Sequence, residues 1–529
     1  MEIQYLKPNV VIEPLVNRWY AWSHLISPLT ACLNIANKQI NIMESYIDSP
    51  EAHQAAAKNI KLLGGPFMDY EEDKTKEIKK LKDETLSISG DYIQLSRALK
   101  SLQRMLAECA VGQSLDSLYP KIPDPLKGYV ELAYDLSNQP TFRIYEPLLY
   151  KSKYYHKKSQ SIALWLTEND ERPFVFSTPK LDNDNVIHLS ITFDSYLIDE
   201  LSKMKTVPGN VENMADLLDI KPSQMALFKS FFHADPPPKY VSYTGDKVRM
   251  RYFGHACILV ETEKTSILVD PLISYYGYES TTSRFSDIDL PDKIDYVLIT
   301  HNHQDHLLFE TLLPLRHKVK NIVVPKSNGR LQDPNLKLML NAIGFNNVLE
   351  IGEIESVDFS DGRILGLPFL GEHADLDIQS KLCYHVKFGK FSVLFAADSR
   401  VFEPAVYKHI HRIIGDIDVI FLGMECDGAP LSWVYGPLLS ESLAWEKDQS
   451  RRLNGSNCDN GLSLVDIFNP SEVYVYAMGM EPWLKFISSI KYDEFSNPII
   501  ESSQLITTCT DKGIFAERLY GEKELFHTK

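Results

Sequence analysis

Along residues 1–240, apolar positions recur mostly at helical spacing, whereas beyond them they bunch into short runs separated by turns. Residues 26–47 (ISPLTACLNIANKQINIMESYI) carry apolar side chains three and four apart and predict a helix, as do residues 91–113. Residues 71–83 (EEDKTKEIKKLKD) alternate acids and bases and read as a solvated helix face. Within residues 141–196, SIALWLTE and VIHLSITF are β-branched and apolar and predict strands. At 236–238 three consecutive prolines rule out helix or inner strand, and the pattern changes across them. Beyond this seam, strands are expected at 247–253, 256–261, 266–270, 295–300, 321–325, 382–388, 391–397, 418–422 and 473–478. Several are apolar throughout, so both faces should be covered. Helical segments at 306–315 and 402–414 fall between them, which predicts sheets with helices packed outside. The chain thus divides into a mixed α+β N-terminal domain, residues 1–240, and an α/β C-terminal domain, residues 241–529.

Composition narrows the function classes. The chain has 529 residues, 44% of them hydrophobic and 24% charged, as in ordinary globular proteins. Its 55 basic and 71 acidic side chains leave a net charge of −16, which argues against a nucleic-acid partner. The seven cysteines form no C-x-x-C pair, so a disulfide scaffold, structural zinc and thioredoxin chemistry lose their signatures, and reduced thiols in a cytoplasm fit. No apolar run reaches the roughly 18 residues needed to cross a bilayer, and the charged, proline-interrupted start does not read as a secretory signal. Phosphate-binding, dinucleotide and nucleophile-elbow motifs are absent.

The densest chemistry is Thr300-His301-Asn302-His303-Gln304-Asp305-His306. It follows the apolar strand DYVLIT and opens the helical segment LLFETLL, so its side chains gather at a sheet edge. Three histidines in six positions stand out in a chain with only 15. His301 and His303 alternate and point the same way in extended backbone, while Asp305 and His306 turn with the chain toward a second ion. Further donors stand at other strand ends. Asp398 follows FSVLFAA, where a carboxylate could bridge two metals, and either Glu372 or His373 follows ILGLPFL. Asp270 follows SILV, where it would accept a hydrogen bond from a ligand histidine and fix its tautomer. Glu425, after DVIFLGM, is a candidate pocket residue. Trp433, Tyr435 and Trp483 are candidate aromatic walls, and His255 reads as a supporting residue rather than a ligand.

GHACILVE…SILVDP, HNHQDH, GEH and FAADS, in that order, resemble the metallo-β-lactamase superfamily over residues 246–485. The resemblance implies an αββα sandwich with a dinuclear metal site at one edge of its sheets. Hydrolases of that superfamily use two zinc ions and a bridging hydroxide. This chain departs from them twice. They carry a histidine where it has Glu372-His373, and a last histidine where its strand VYVYAM runs into Gly479-Met480-Glu481-Pro482. Only His409, His411 and His527 follow Asp398. With Glu372 as ligand, three imidazoles and three carboxylates leave open positions, a set that suits iron and dioxygen.

The whole chain, including EPLVNRWYAW at Glu13 to Trp22, is similar to the dinuclear-iron β-hydroxylases of nonribosomal peptide synthesis in antibiotic biosynthesis. Carried over by motif, the resemblance implies that His301, His303 and Glu372 hold one iron and Asp305 and His306 the other, with Asp398 between them. It implies an oxo- or hydroxo-bridged iron pair, O2 as co-substrate and an external electron donor. The expected substrate is an amino acid on the phosphopantetheine arm of a peptide-synthetase carrier domain. A homodimer is expected too, its N-terminal domain shaping the substrate's approach. The alternative is a dizinc hydrolase of an ester or phosphoester.

Overall fold

The computed structural model describes residues 3–59, 62, 64–278 and 280–529. Two seven-stranded sheets form the C-terminal part. The first runs Val348–Ile351, Val319–Pro325, Ile294–Leu298, Ser266–Val269, Ile258–Glu261, Val248–Tyr252 and Lys523–His527. The second runs Ser356–Phe359, Gly362–Pro368, Leu382–Phe388, Phe391–Phe395, Val419–Gly423, Glu472–Tyr476 and Phe515–Arg518. Met250, Val260, Val269, Tyr384, Phe395, Phe421 and Tyr476 fill the space between the sheets. The outer face of the second sheet is covered by helices Pro404–Ile414, Cys458–Phe468 and Asn497–Asp511, through Tyr407, Leu464, Phe468 and Leu505. This is an αββα sandwich, and its apolar strands are buried on both faces as their sequences require.

The expected strands of this part form within a residue or two of the sequence pattern, and the inner strand Gly362–Pro368 and the edge strands Val348–Ile351, Ser356–Phe359, Phe515–Arg518 and Lys523–His527 are added to them. Ser356–Phe359 and Lys523–His527 alternate exposed and half-buried positions, and Phe515–Arg518 is nowhere fully buried, so these three lack the continuous apolar run. Strands Ser266–Val269, Ile294–Leu298 and Val319–Pro325 are mutually parallel, as are Phe391–Phe395, Val419–Gly423 and Glu472–Tyr476. The loops leaving their C-terminal ends therefore emerge on one edge of the sandwich.

The N-terminal part packs on the outer face of the first sheet. One continuous apolar core joins Leu29, Leu99, Leu102 and Ile162 to Phe309, Leu312, Met339 and Leu340. Its four-stranded sheet runs Trp19–Tyr20, Val10–Val16, Gln160–Leu166 and Ile187–Leu189. Val10–Val16 is buried at every position although it contains Glu13 and Pro14. Glu13 is stabilised there by the Trp165 indole N–H at 2.7 Å and Lys180 at 3.1 Å. The helix expected over 26–47 forms as Pro28–Asn34, a π-helical turn Ile35–Gln39 and Ile40–Asp48. Of the charged stretch 71–83, the part from Thr75 onward lies in helix Thr75–Ile88, which buries only Ile78, Leu81 and Thr85, while residues 71–74 precede it as bend and coil.

The junction between the two parts is polar as well as apolar. Arg172 grips Glu310 in a bidentate pair at 2.7 and 2.9 Å, both side chains buried. Glu310 lies on helix Phe309–Leu315, directly after the histidine-rich run, so this pair fixes the metal-binding segment against the N-terminal part. Glu146 does similar work, accepting from the Ser27 hydroxyl at 2.7 Å and the Asn335 N–H at 3.0 Å.

Candidate metal centre

Several loops at the sheet edge bend sharply through positive φ, although the 300–306 run does not. His255, Asp270, Glu372, Ala397 and Ala477 all have positive φ, between 39° and 66°. Non-glycine residues in this region are strained, and such strain persists where surrounding structure over-determines it. Here it turns side chains off the ends of buried strands and into one pocket.

Three overlapping groups of donor atoms result, each within 4.8 Å: His301, His303 and Glu372; His301, His306 and Asp398; and His255, Asp305 and His306. All six residues singled out from the sequence as metal candidates are thus brought together. His303 Nδ1 lies 2.5 Å from Glu372 Oε1, and His306 Nε2 lies 3.0 Å from Asp398 Oδ2. His301 Nε2 lies between the carboxylates, 3.7 Å from Glu372 and 3.8 Å from Asp398.

Hydrogen bonds behind these donors set which nitrogen faces the centre. Asp270, fully buried, accepts the Thr300 backbone N–H at 2.8 Å, the Thr300 hydroxyl at 2.6 Å and His306 Nδ1 at 2.8 Å. His306 therefore carries its proton on Nδ1 and turns a lone pair on Nε2 inward. The Thr300 hydroxyl spends its proton on Asp270, so it accepts from His301 Nδ1 at 3.0 Å and leaves His301 Nε2 free. The hydroxyl of Tyr435 lies 3.2 Å from His303 Nε2 and 2.7 Å from His373 Nδ1. His303 accordingly presents Nδ1. Tyr435 was expected as an aromatic wall; its link to two histidines left no mark in the local sequence, because 132 positions separate it from His303.

His373 stands behind Glu372, its Nε2 3.3 Å from Glu372 Oε2, and belongs to none of the three donor groups. His255 Nδ1 accepts the Gly479 N–H at 3.2 Å, which leaves the ring proton on Nε2, 3.2 Å from Asp305 Oδ2. That tautomer turns an N–H toward Asp305, although His255 also shares a donor group with Asp305 and His306. Glu481 fixes this corner by accepting the His255 backbone N–H at 3.1 Å and the Tyr252 hydroxyl. The segment where hydrolases carry their last histidine thus holds His255 through Gly479 and Glu481. His409 and His411 lie on helix Pro404–Ile414, and His527 stacks on Phe391.

The electrostatics of the histidines differ: against the effect of burial, Glu372 raises the His303 pKa, and Asp398 and Asp270 raise that of His306. Burial, then the neighbouring histidines, push the His301 and His373 pKa values far below the ordinary value, so both rings are neutral. Burial alone would raise Asp305, yet His255 and His306 hold it below the usual carboxylate range. His301 Nε2, His306 Nε2, Glu372 Oε2 and Asp398 Oδ1 are buried with no hydrogen-bond partner. Unpartnered buried polar atoms are costly. Imidazole and carboxylate atoms orphaned together fit a pair of metal ions, and their oxygen-rich mix fits iron.

A cavity of about 300 Å³ opens over these donors, walled by Trp433, Val434, Ile487 and Ile490, with Glu425 at its side. It shares Gln304, Pro430, Trp433 and Val434 with a second cavity of about 340 Å³ that reaches Trp22, Lys38 and Phe174 of the N-terminal part.

Sandwich and donor cluster together define a metallo-β-lactamase-fold metalloprotein built for a dinuclear centre. Residues 265–429 match the Beta-lactamase superfamily domain, and residues 5–236 match the Diiron non-heme beta-hydroxylase N-terminal domain. The 4-amino-L-phenylalanyl-[CmlP-peptidyl-carrier-protein] 3-hydroxylase of Streptomyces venezuelae is 38% identical over 98% of this chain and 99% of its own length. The crystal structure of CmlA, a diiron β-hydroxylase from Streptomyces venezuelae, superposes with a TM-score of 0.93 at 38% identity, covering 99% of this chain and 100% of that one. A UPF0173 metal-dependent hydrolase of Flavobacterium johnsoniae is 29% identical over 26% of this chain and 65% of its own length. The chain belongs to the diiron non-haem β-hydroxylase family. It is a non-haem diiron oxygenase on a metallo-β-lactamase scaffold.

Proposed function

We propose that this enzyme hydroxylates Cβ of an aminoacyl group held as a thioester on the phosphopantetheine arm of a nonribosomal peptide synthetase carrier domain. In this reading His301, His303 and Glu372 would hold one iron and Asp305 and His306 the other, with Asp398 available to both. The observation that carries it is the convergence of orphaned imidazole and carboxylate atoms on the floor of a cavity that adjoins a second one lined by the N-terminal part. The Streptomyces relative, named for action on a carrier-bound aminoacyl group, supports the substrate class.

The iron pair, when bound, supplies the dioxygen activation that an unactivated C–H bond demands. The protein's own residues do the rest. Asp270, Thr300 and Tyr435 fix the imidazole tautomers, and His255 holds Asp305 in place. Trp433, Val434, Ile487 and Ile490 exclude water around the Cβ–H bond. The two neighbouring cavities are of a size for a side chain and for an extended arm. Residues 1–240 then shape the approach to a catalytic domain of residues 241–529. The resemblance adds an external electron-transfer partner, a homodimer and a cytoplasmic setting to the proposal. Among the described residues no helix is long and apolar enough to cross a membrane.

Mass spectrometry of an aminoacyl carrier incubated with the reduced iron enzyme under ¹⁸O₂ tests this reading. One heavy oxygen on the acyl group is expected. Release of free amino acid without oxygen incorporation would favour a hydrolase instead.

A further inference from the structure

Glu425 follows strand Val419–Gly423, which lies parallel and adjacent to the strand that leads to Asp398. The two carboxylates therefore emerge on the same sheet edge, and both line the cavity over the metal donors. Glu425 is held from two sides. Its Oε1 accepts the Tyr492 hydroxyl at 3.1 Å, and its Oε2 accepts the Gly428 N–H at 2.5 Å. Both donors are neutral. Among the described residues no lysine, arginine or histidine pairs with it, and no lysine or arginine lines this cavity. Burial, with the charges of Asp427 and Asp398 adding to it, raises its pKa to about 7.

Metal binding would engage Asp305, Glu372 and Asp398 and leave Glu425 as the one uncompensated carboxylate of the cavity. A half-buried carboxylate fixed by neutral donors and lacking a cation is complementary to a cationic ligand group. An aminoacyl thioester brings one, because an α-amino group with a pKa near 8 is protonated at neutral pH. We infer that Glu425 receives the α-ammonium of the substrate and so positions Cβ before the metal donors, an inference that rests on the aminoacyl thioester reading above. The nitrogen is attached to the carbon next to Cβ, so a charge-assisted hydrogen bond at ordinary length places Cβ within about 5 Å of the carboxylate. The same contact selects free amines over acylated ones.

The test compares four probes on iron-loaded wild type and Glu425→Gln: L-phenylalanyl thioesters of pantetheine and of a carrier domain, each with a free or an acetylated amine. Affinity is read by fluorescence anisotropy competition. Glu425→Gln should weaken the free-amine probes about tenfold or more. It should leave the acetylated probes and the iron content unchanged, which also shows that the variant is folded. Equal affinity of wild type and variant for the free-amine probes would overturn the inference, as would equal loss for both amine forms. If the pantetheine probes show the amine effect but the carrier probes do not bind, the carrier reading fails and the amine site stands.

Discussion

Asp270 lies outside the donor set, yet it sets the tautomers of two donor histidines, so its substitution tests the logic of the centre. In Asp270→Asn, one of two acceptor oxygens becomes an amide N–H₂. With the remaining oxygen kept on the side of His306 and the Thr300 hydroxyl, the amide meets the Thr300 backbone N–H, now 2.8 Å from the carboxylate. Two donors then face each other at a position with no solvent exposure, a cost of about 1–3 kcal/mol. In the reverse orientation the amide donates to His306 Nδ1, and the ring proton moves to Nε2, the nitrogen that faces Asp398. That tautomer cannot bind metal. Loss of such an orienting partner typically weakens metal affinity about 10- to 100-fold, or about 1.4–2.7 kcal/mol. Anaerobic ferrous titration against a competing chelator should therefore show one iron site weakened by that factor. Two irons held with wild-type affinity by a variant of unchanged stability would refute the reasoning.

Other substitutions reach different parts of the account. Arg172→Ala strands buried Glu310 and should cost about 3–5 kcal/mol in denaturant unfolding, whereas Arg172→Met combined with Glu310→Leu should recover much of that loss. Tyr435→Phe removes the hydroxyl shared by His303 and His373 and should lower iron affinity by up to tenfold with little change in unfolding midpoint. Glu146 is buried and its pKa is raised by that burial to about 7 from an ordinary 4.5, so the folded state binds its proton more tightly. Its stabilising effect is complete below pH 4.5 and is lost as pH rises through 7, a swing on the order of 3 kcal/mol. Glu146→Gln should flatten the fall in unfolding free energy between pH 5 and pH 8, and an unchanged slope would count against this assignment.

The sheets and the histidine run were legible because each rests on a local pattern. Apolar strands such as Leu382–Phe388 and Phe391–Phe395 need burial on both faces, and their sequences say so. The donors of His301, His303, Asp305 and His306 follow from strand-then-turn geometry within six residues. Asp270 and Asp398 were legible as carboxylates at the ends of apolar strands. Other features depended on long-range contacts. Strand Val10–Val16 contains Glu13 and Pro14, which argue against an inner strand until Trp165 and Lys180 satisfy the carboxylate. Glu372 and His373 are adjacent, and only the positive φ at Glu372 and the distant Tyr435 hydroxyl give them different surroundings. The tautomer of His255 likewise depends on Gly479, 224 positions away.

Metal quantification of the purified enzyme, joined to its optical spectrum, tests the central claim most directly. About two iron atoms per chain and near-ultraviolet and visible absorption from a bridged ferric pair are expected. A colourless protein that holds stoichiometric zinc and is fully active without iron would contradict it.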